Sequence, residues 1–424
     1  MPCPSMPRLL LLLPTATYRT AAFVEAARRL GVELTVASER PSTFEAANPA
    51  GLLTLELSDP DRAAAKAAAF AREHPLQGVV GVDDDTAVAA AAIAAALGLR
   101  GNPVPAALAA RDKHEQRVRL SAAGVPVPPF AAHGVDEDPA ALAAGAGYPC
   151  VLKPLRLSAS RGVMRADTPD QFVAAVRRLA AILRQPDAAA CGESARRFLV
   201  EEYVPGPEFA LEGLLVAGRL HVLALFDKPD PLDGPFFEET IYLTPSRLPD
   251  EARREIAACA QAAATALGLR EGPVHAELRY NERGPWLIEL AARPIGGRCS
   301  GALRFGTGGS GLGAGVSLEE LIIRHALGME LPTLERERRA SGVMMIPVPR
   351  AGALREVRGV DEARAVPLVE DVMITAHPGQ TLVPWPEGSR YPGFIFARGP
   401  TPDAVERALR DAHARLEFLL DPAA

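Results

Sequence analysis

The stretch HAELRYNERGPWLIELAARPIGG, His275–Gly297, decides how the rest of the chain is read. VHAELRY and WLIEL alternate apolar and polar residues, and NERGP between them carries turn chemistry, so the segment predicts a β-hairpin. Pairing Tyr280 with Trp286 across the loop sets Glu277 directly opposite Glu289. Opposed residues of an antiparallel pair share a face, and two carboxylates there repel each other. A shared divalent cation resolves the repulsion, and oxygen ligands of this kind suit Mg²⁺ or Mn²⁺. A slip of one residue would turn one carboxylate away and remove the basis of this reading.

Around the hairpin lies a chain of 424 residues, enough for two or three domains. Its net charge of −6 argues against general nucleic-acid binding. The five cysteines, Cys3, Cys150, Cys191, Cys259 and Cys299, form neither a CxxC pair nor a zinc spacing, and read as reduced thiols. The run Leu9–Leu13 is too short for a signal sequence or a membrane span and fits a buried parallel strand. The expectation is a cytoplasmic protein with no membrane or nucleic-acid partner.

Working outward to the N-terminus, strands RLLLLLP, VELTVAS and GVVGVD alternate with helical segments that stop at Gly31 and Gly98. Such βαβ alternation predicts a doubly wound parallel sheet over residues 1 to about 105. Ligands of such sheets sit beyond the strands' carboxyl ends, here Thr15–Thr20, Ser38–Arg40 and Asp83–Thr86. A second region, about 106–335, mixes strands and helices, with a smaller lobe near 130–203. Beyond about residue 336 comes a strand-rich α+β module, expected to act as a lid. GTGGSGLGAG, Gly306–Gly315, follows no strand of a βαβ unit and reads as a flexible connection.

Between these ends lie the residues that could carry chemistry. Lys153 sits mid-strand in CVLKP among apolar neighbours, where an ammonium needs a partner such as a phosphate. The next loop, Ser158–Gly162, consists mostly of small residues that let backbone N–H groups approach phosphate oxygens. Lys113, in RDKHEQR, reads by itself as part of a solvated helix face. Glu201-Glu202-Tyr203-Val204 ends a strand, and Pro205-Gly206-Pro207 turns the chain before Glu208. Arg293 follows Glu289 by four residues, suited either to an oxyanion or to a salt bridge with Glu212 or Glu289. His275 shares the hairpin face with Glu277. Glu212 shares a strand face with Glu208 and could meet a substrate ammonium. Glu238 and Glu239 fall in a loop near the same place.

Taken in order, Lys113, the VLKP lysine, the small-residue loop, EEYVPGPEF and the two-glutamate hairpin ending in Arg293 resemble the ATP-grasp superfamily. IELAARPIGG and the tail PGFIFARGPTPDAVERALRDAHARLEF look most like its bacterial L-amino-acid (dipeptide) ligases and the biotin-carboxylase-like branch around them. The resemblance implies a two-lobed ATP-grasp core. It implies that Lys113 and Lys153 hold nucleotide phosphates under the loop of Ser158, Ser160 and Gly162. Glu201 and the Val204 backbone would meet adenine, and Glu208 the ribose. Lys228 would reach the triphosphate. Glu277 and Glu289 would bind Mg²⁺ or Mn²⁺, and Arg293 would lie beside the acyl group, near Gly296 and Gly297. One departure is Ala291, which stands where most of the superfamily carries a metal-binding asparagine.

The implied reaction is an ADP-forming ligation. ATP converts a carboxylate into an acyl phosphate, and an amine attacks it to give an amide. The substrates would be a small carboxylate, expected to be an amino acid, and a small amine, with a homodimer left open. Alternatives are a bicarbonate-activating carboxylase, disfavoured by the lack of a biotin-carrier Met-Lys-Met run, an ATP-binding protein without turnover, and a kinase whose phosphorylated product is released.

Overall fold

A computed structural model describes residues 6–15, 17–306 and 315–422. Cys3 and most of the Gly306–Gly315 run lie outside the described residues.

The N-terminal sheet contains β1 (Arg8–Leu12), β2 (Glu33–Ser38), β3 (Leu52–Thr54) and β4 (Gly78–Gly81), in the order β3-β2-β1-β4. All its pairings are parallel, as the βαβ alternation predicts. Leu9, Leu10, Leu11 and Leu12 are fully buried because helices cover both faces of the sheet. The helices Thr20–Leu30 and Asp84–Leu97 end at Gly31 and Gly98, both left-handed. β3 has only three residues, too short for period-2 alternation to reveal.

The segment after this sheet forms two helices, Val104–Arg111 and Lys113–Ala122. Asp112 breaks them and caps the second, accepting bonds from the His114 and Glu115 amides at 3.0 and 3.1 Å. The smaller lobe follows: β5 (Phe130–Gly134), β6 (Cys150–Pro154), β7 (Met164–Ala166) and β8 (Arg197–Glu202). These form an antiparallel sheet in the order β5-β8-β6-β7, packed on helix Pro169–Leu183.

The remaining strands are β9 (Glu208–Val216), β10 (Arg219–Asp227), β11 (Ile241–Thr244), β12 (Gly272–Asn281) and β13 (Gly284–Ala291). After them come β14 (Ala340–Met345), β15 (Gly352–Arg358), β16 (Val369–Ile374), β17 (Thr381–Leu382), β18 (Gly393–Gly399) and β19 (Glu417–Asp421). Eight of these build one sheet, β13-β12-β9-β10-β11-β14-β18-β16. Three strands from beyond residue 336 therefore continue the sheet that carries the hairpin. β15, β17 and β19 form a separate three-stranded sheet. Helix Asp250–Leu267 covers one face of the long sheet near the hairpin, and helix Leu318–Ala326 joins the N-terminal domain to it.

β12 and β13 pair antiparallel with Glu277 opposite Glu289 and His275 opposite Ala291. The route to this register differs from the one expected. Tyr280 pairs with Pro285, and Trp286 with Arg279, one position off. A bulge between Glu277 and Leu278 leaves Ile288 as an extra residue and cancels the slip. β13 is the last strand of its sheet, and helix Lys113–Ala122 lies along its open edge. The Gln116 side-chain amide donates to the Leu290 carbonyl and accepts from the Leu290 N–H, each at 2.9 Å, as a neighbouring strand's peptide group would. Arg117 donates to the Ile288 carbonyl.

Candidate active site

A cavity of about 860 Å³ opens where the N-terminal sheet, the smaller lobe and the long sheet meet. Most of the side chains singled out from sequence as candidate ligands line it; Gly162, Lys228, Glu212 and Glu238 do not.

At one end, the strand order brings β6 beside β8, so Lys153 and Glu201 meet. The Lys153 ammonium lies 2.5 Å from the Glu201 carboxylate, and Arg117 Nε lies 2.6 Å from its other oxygen. All three side chains are buried. Burial, reinforced by Arg117 and Lys113, outweighs Glu201 and pushes Lys153 below the usual lysine range. Burial alone would raise Glu201, but Arg117 and Lys153 overcome it and hold the carboxylate below its ordinary value. Both Glu201 oxygens are thus engaged by cations. Lys113, which reads alone as solvated, is buried. Its position at the start of a helix lying on β13 directs its ammonium to Glu289 and to the Leu157 carbonyl, each at 3.0 Å.

The loop after β6 forms the roof. Ser158, Ala159 and Ser160 line the cavity, and Ala159, Ser160 and Gly162 have left-handed φ values of 55°, 54° and 74°. Such a run can turn successive N–H groups toward an anion. Gly162 stands aside because its N–H donates to the Pro386 carbonyl at 2.9 Å. The Trp385 indole N–H donates to the Ala159 carbonyl at 2.8 Å, so the segment between β17 and β18 holds this loop at two points.

A second charge cluster surrounds Lys228. Its ammonium lies 2.8 Å from Glu208 and 3.2 Å from Glu277, and also bonds Glu239. Burial works against the ammonium, but the three carboxylates raise its pKa well above the ordinary value. Lys228 is therefore held behind the cavity wall, where its charge is already matched. Oxygens of Glu208, Glu239 and Glu277 all lie within 4.8 Å of one another, close enough to hold a cation. Glu289 stands outside this trio. Arg279, 3.1 Å from Glu208 and 2.9 Å from the Val204 carbonyl, ties the trio to the turn after β8. Glu238 turns away and accepts from the Val348 N–H.

Beside the trio, His275 lies 3.6 Å from Glu277 and 3.5 Å from Glu212. Burial opposes its charge, and the two carboxylates overcome this and raise its pKa. Glu212 is fully buried and accepts from the Ile295 N–H at 3.1 Å, so it supports His275 and the turn after β13 instead of facing the cavity. Arg293 does reach the cavity, with a partner different from either expected one: its Nε donates to Asp84 at 3.0 Å. Asp84 starts helix Asp84–Leu97 beyond β4, at a strand end identified in the sequence. Gly296 and Gly297 also line this end.

Several lining residues carried no sequence signal. From the C-terminal strands and their connections, Met345, His377, Gln380, Tyr391 and Phe394 wall the far side. Tyr18, Arg19 and Asp83 come from the N-terminal strand ends, where general ligand placement was the only clue.

The chain matches the models of three domain families: the ATP-grasp N-terminal domain over 24–101, the ATP-grasp domain over 146–302, and the L-amino acid ligase C-terminal domain 2 over 344–421. The crystal structure of an L-amino acid ligase from Bacillus licheniformis superposes with a TM-score of 0.76 at 26% identity, covering 98% of this chain and 99% of that one. Alanine–anticapsin ligase of Bacillus subtilis is 32% identical over 47% of this chain and 44% of its own length. D-alanine–D-alanine ligase of Aromatoleum aromaticum is 31% identical over 46% of this chain and 60% of its own. The chain thus spans about half the length of these two curated relatives. It is built of ATP-grasp domains and is homologous to L-amino-acid and D-alanine–D-alanine ligases.

Proposed function

We propose that this member of the ATP-grasp superfamily is an ADP-forming ligase that joins the carboxylate of an amino acid or related acid to an amine. The observation that carries the reading is the convergence of Lys113, Lys153, Glu277, Glu289 and Arg293 on one cavity between three sheets.

The residues present fit ATP and a divalent cation. Lys153 and Arg117 share the one Glu201 carboxylate, so this corner holds more positive charge than that carboxylate balances. A triphosphate supplies the missing negative charge. Glu277 and Glu289 face each other across the hairpin, and each already leans on an ammonium, so this face selects for cations. Glu277 and Glu289 would hold Mg²⁺ or Mn²⁺; with Ala291 opposite His275, Glu208 and Glu239, both within 4.8 Å of Glu277, are the carboxylates placed to supply a further oxygen. When bound, the metal offsets charge on the transferring phosphoryl group.

Other residues take positions around this pair. Lys113 and Lys153 hold phosphate oxygens, and the left-handed run at Ala159 and Ser160 presents backbone N–H groups to them. Glu201 fixes Lys153 and Arg117, so its part at the adenine end is to orient these cations. The Val204 backbone borders the base, and Glu208 the ribose. Lys228 acts through Glu208 and Glu277 by holding their carboxylates in place. In the reaction, an oxygen of the substrate carboxylate takes the γ-phosphoryl group and ADP leaves. The amine then attacks the acyl carbon, loses a proton, and inorganic phosphate departs. Arg293, oriented by Asp84, is placed to stabilise the oxyanion, a task worth about 2.7–4 kcal/mol for one well-placed donor.

No helix among the described residues is long and apolar enough to cross a membrane, and the four described cysteines are free thiols. A reducing cytoplasm, where ATP is made, suits this reading.

The test is ATP cleavage over a panel of amino-acid pairs with Mg²⁺, with mass spectrometry of the products. ADP and an amide should form in equal amounts, and only when carboxylate and amine are both present. Absence of ATP cleavage with every carboxylate would overturn the proposal. Glu289→Ala should abolish turnover while leaving the circular dichroism spectrum unchanged.

A further inference from the structure

The roof loop is held from outside its own lobe. Among the described residues, Ser158–Gly162 hydrogen-bonds beyond the smaller lobe at two points, both on the turn between β17 and β18. The Trp385 indole donates to the Ala159 carbonyl at 2.8 Å, and the Pro386 carbonyl accepts from the Gly162 N–H at 2.9 Å. Glu387, next in the chain, accepts from Arg178 Nε and Nη2 at 2.5 and 2.8 Å. Arg178 stands on helix Pro169–Leu183, which packs on the smaller lobe's sheet. Three consecutive residues thus each grip the lobe, by an indole, a backbone carbonyl and a carboxylate.

The turn is built to keep that shape. The Gly388 N–H donates to the Pro384 carbonyl at 2.9 Å, and a Cβ on Gly388 would collide with the Val383 carbonyl, so only glycine closes it. Trp385 is buried in the C-terminal module's own core with Leu354, Leu382 and Leu420, and its ring lies 4.8 Å from that of Tyr391. The clasp therefore carries the rigidity of a packed core.

What it fixes is a peptide plane. In a trans peptide the C=O and the N–H point in opposite directions. Ala159 and Ser160 line the cavity, whereas Trp385, Pro386 and Glu387 do not. Holding the Ala159 carbonyl on Trp385 therefore sends the Ser160 N–H the other way, to the cavity side. Neither the Ala159 nor the Ser160 N–H donates to any described residue. Donors fixed in place with no protein acceptor suit the oxygens of a phosphate.

We propose that Trp385, Pro386 and Glu387 are positioning residues for the nucleotide: through them the C-terminal module clasps the roof loop and aims the Ser160 N–H at a phosphate oxygen. The inference rests on the ATP-dependent ligase reading. It gives the C-terminal module a part in holding the nucleotide without touching it.

The test compares affinities for the Mg²⁺ complex of a non-hydrolysable β,γ-imido analogue of ATP and for adenosine, which has no phosphates. Trp385→Phe keeps the ring packing and removes the donor. It should weaken binding of the analogue about five-fold, as one net hydrogen bond does, and leave adenosine within about two-fold. Glu387→Ala should weaken the analogue about two-fold, and exchanging the charges, Arg178→Glu with Glu387→Arg, should restore it. Trp385→Phe with unchanged affinity for the analogue, or with an equal loss for adenosine, overturns the inference and leaves the ligase reading intact. If Trp385→Phe does not fold, a loss for Glu387→Ala that the exchange restores supports the inference, and any other result for that pair overturns it. Failure of the unmodified protein to bind the analogue overturns both.

Discussion

Lys228→Met removes a buried ammonium that three carboxylates share. Breaking a buried ion pair from one side costs about 3–5 kcal/mol, because the remaining charge loses its compensation. Here Glu208 keeps Arg279, Glu277 keeps His275, and Glu239 keeps the Tyr242 hydroxyl at 2.6 Å. The lower end of the range therefore applies, about 3 kcal/mol. At roughly 2–4 °C per kcal/mol for a unit of 150–250 residues, the melting temperature should fall by about 6–12 °C at pH 8. The direction with pH follows from the charges. Lys228's raised pKa keeps it protonated from pH 5 to 8, so its contribution in the unmodified protein is constant. In the variant Glu239 and Glu277 lose the ammonium that lowers both of them, so protonation should relieve their repulsion as pH falls. The gap between the two proteins should thus narrow toward pH 5. Mn²⁺ should restore the variant more than the unmodified protein, since three oxygens remain within cation-binding reach; at a hundred times its dissociation constant the gain is about 2.7 kcal/mol. Differential scanning calorimetry at both pH values, with and without Mn²⁺, reads all three effects. A melting temperature within about 2 °C of the unmodified protein, with no response to pH or metal, would refute the charge-sharing argument.

Three further perturbations test neighbouring parts. Burial and Asp84 raise the Asp83 carboxyl to about 6, from 3.8. Its folded-state value exceeds its unfolded one, so stability is lost as pH rises between them. Asp83→Asn keeps a helix cap and should gain relative stability over that interval, on the order of 3 kcal/mol for a shift of roughly 2 units; urea midpoints that stay parallel from pH 4 to 7 would contradict this. Glu201→Gln leaves Arg117 and Lys153 with one neutral acceptor and should cost about 3–5 kcal/mol in thermal unfolding. Because Glu201's pKa is lowered on folding, the unmodified protein should lose that contribution as pH falls below the ordinary carboxylate range, which a melting series at acid pH can follow. Trp385→Phe deletes the bond to the Ala159 carbonyl, about 1 kcal/mol, and should speed tryptic cleavage after Arg161 by about five-fold; an unchanged rate would show that the roof loop is held by other contacts.

The sequence was most legible where chemistry and periodicity coincide. β1 is visible because a strand buried on both faces must be apolar throughout, and the hairpin because its faces alternate. The opposition of Glu277 and Glu289 was reached through a loop pairing that the structure replaces. The bulge at Ile288 has no glycine or proline to mark it, so only the backbone reveals how the slip is cancelled. Lys113 and Arg293 show a second limit. Each has a partner more than 170 positions away, Glu289 and Asp84, chosen by how helices dock and not by local spacing. Lys228 looked available because a lysine's surroundings are set by strand neighbours, and β10 places it among glutamates from β9, β12 and the segment before β11. The far wall was nearly silent: Met345 and Phe394 are ordinary apolar or aromatic residues until the fold assembles them, and Tyr18 was covered only by the general placement of ligands at strand ends.

Gln116's imitation of a strand has a consequence for how this protein behaves in a crowded cell. An exposed edge strand next to a hydrophobic sheet is a template for another chain. β13 is such an edge, and it carries Glu289, so its outer backbone cannot be blunted by proline without disturbing the carboxylate. The helix side chains take its hydrogen bonds instead, with Gln116 on Leu290 and Arg117 on Ile288. The same helix that supplies Lys113 thereby guards against intermolecular strand addition. Gln116→Leu should leave an apolar strand edge with unpaired peptide groups, and its first symptom should be self-association during refolding, ahead of any measurable loss of nucleotide affinity.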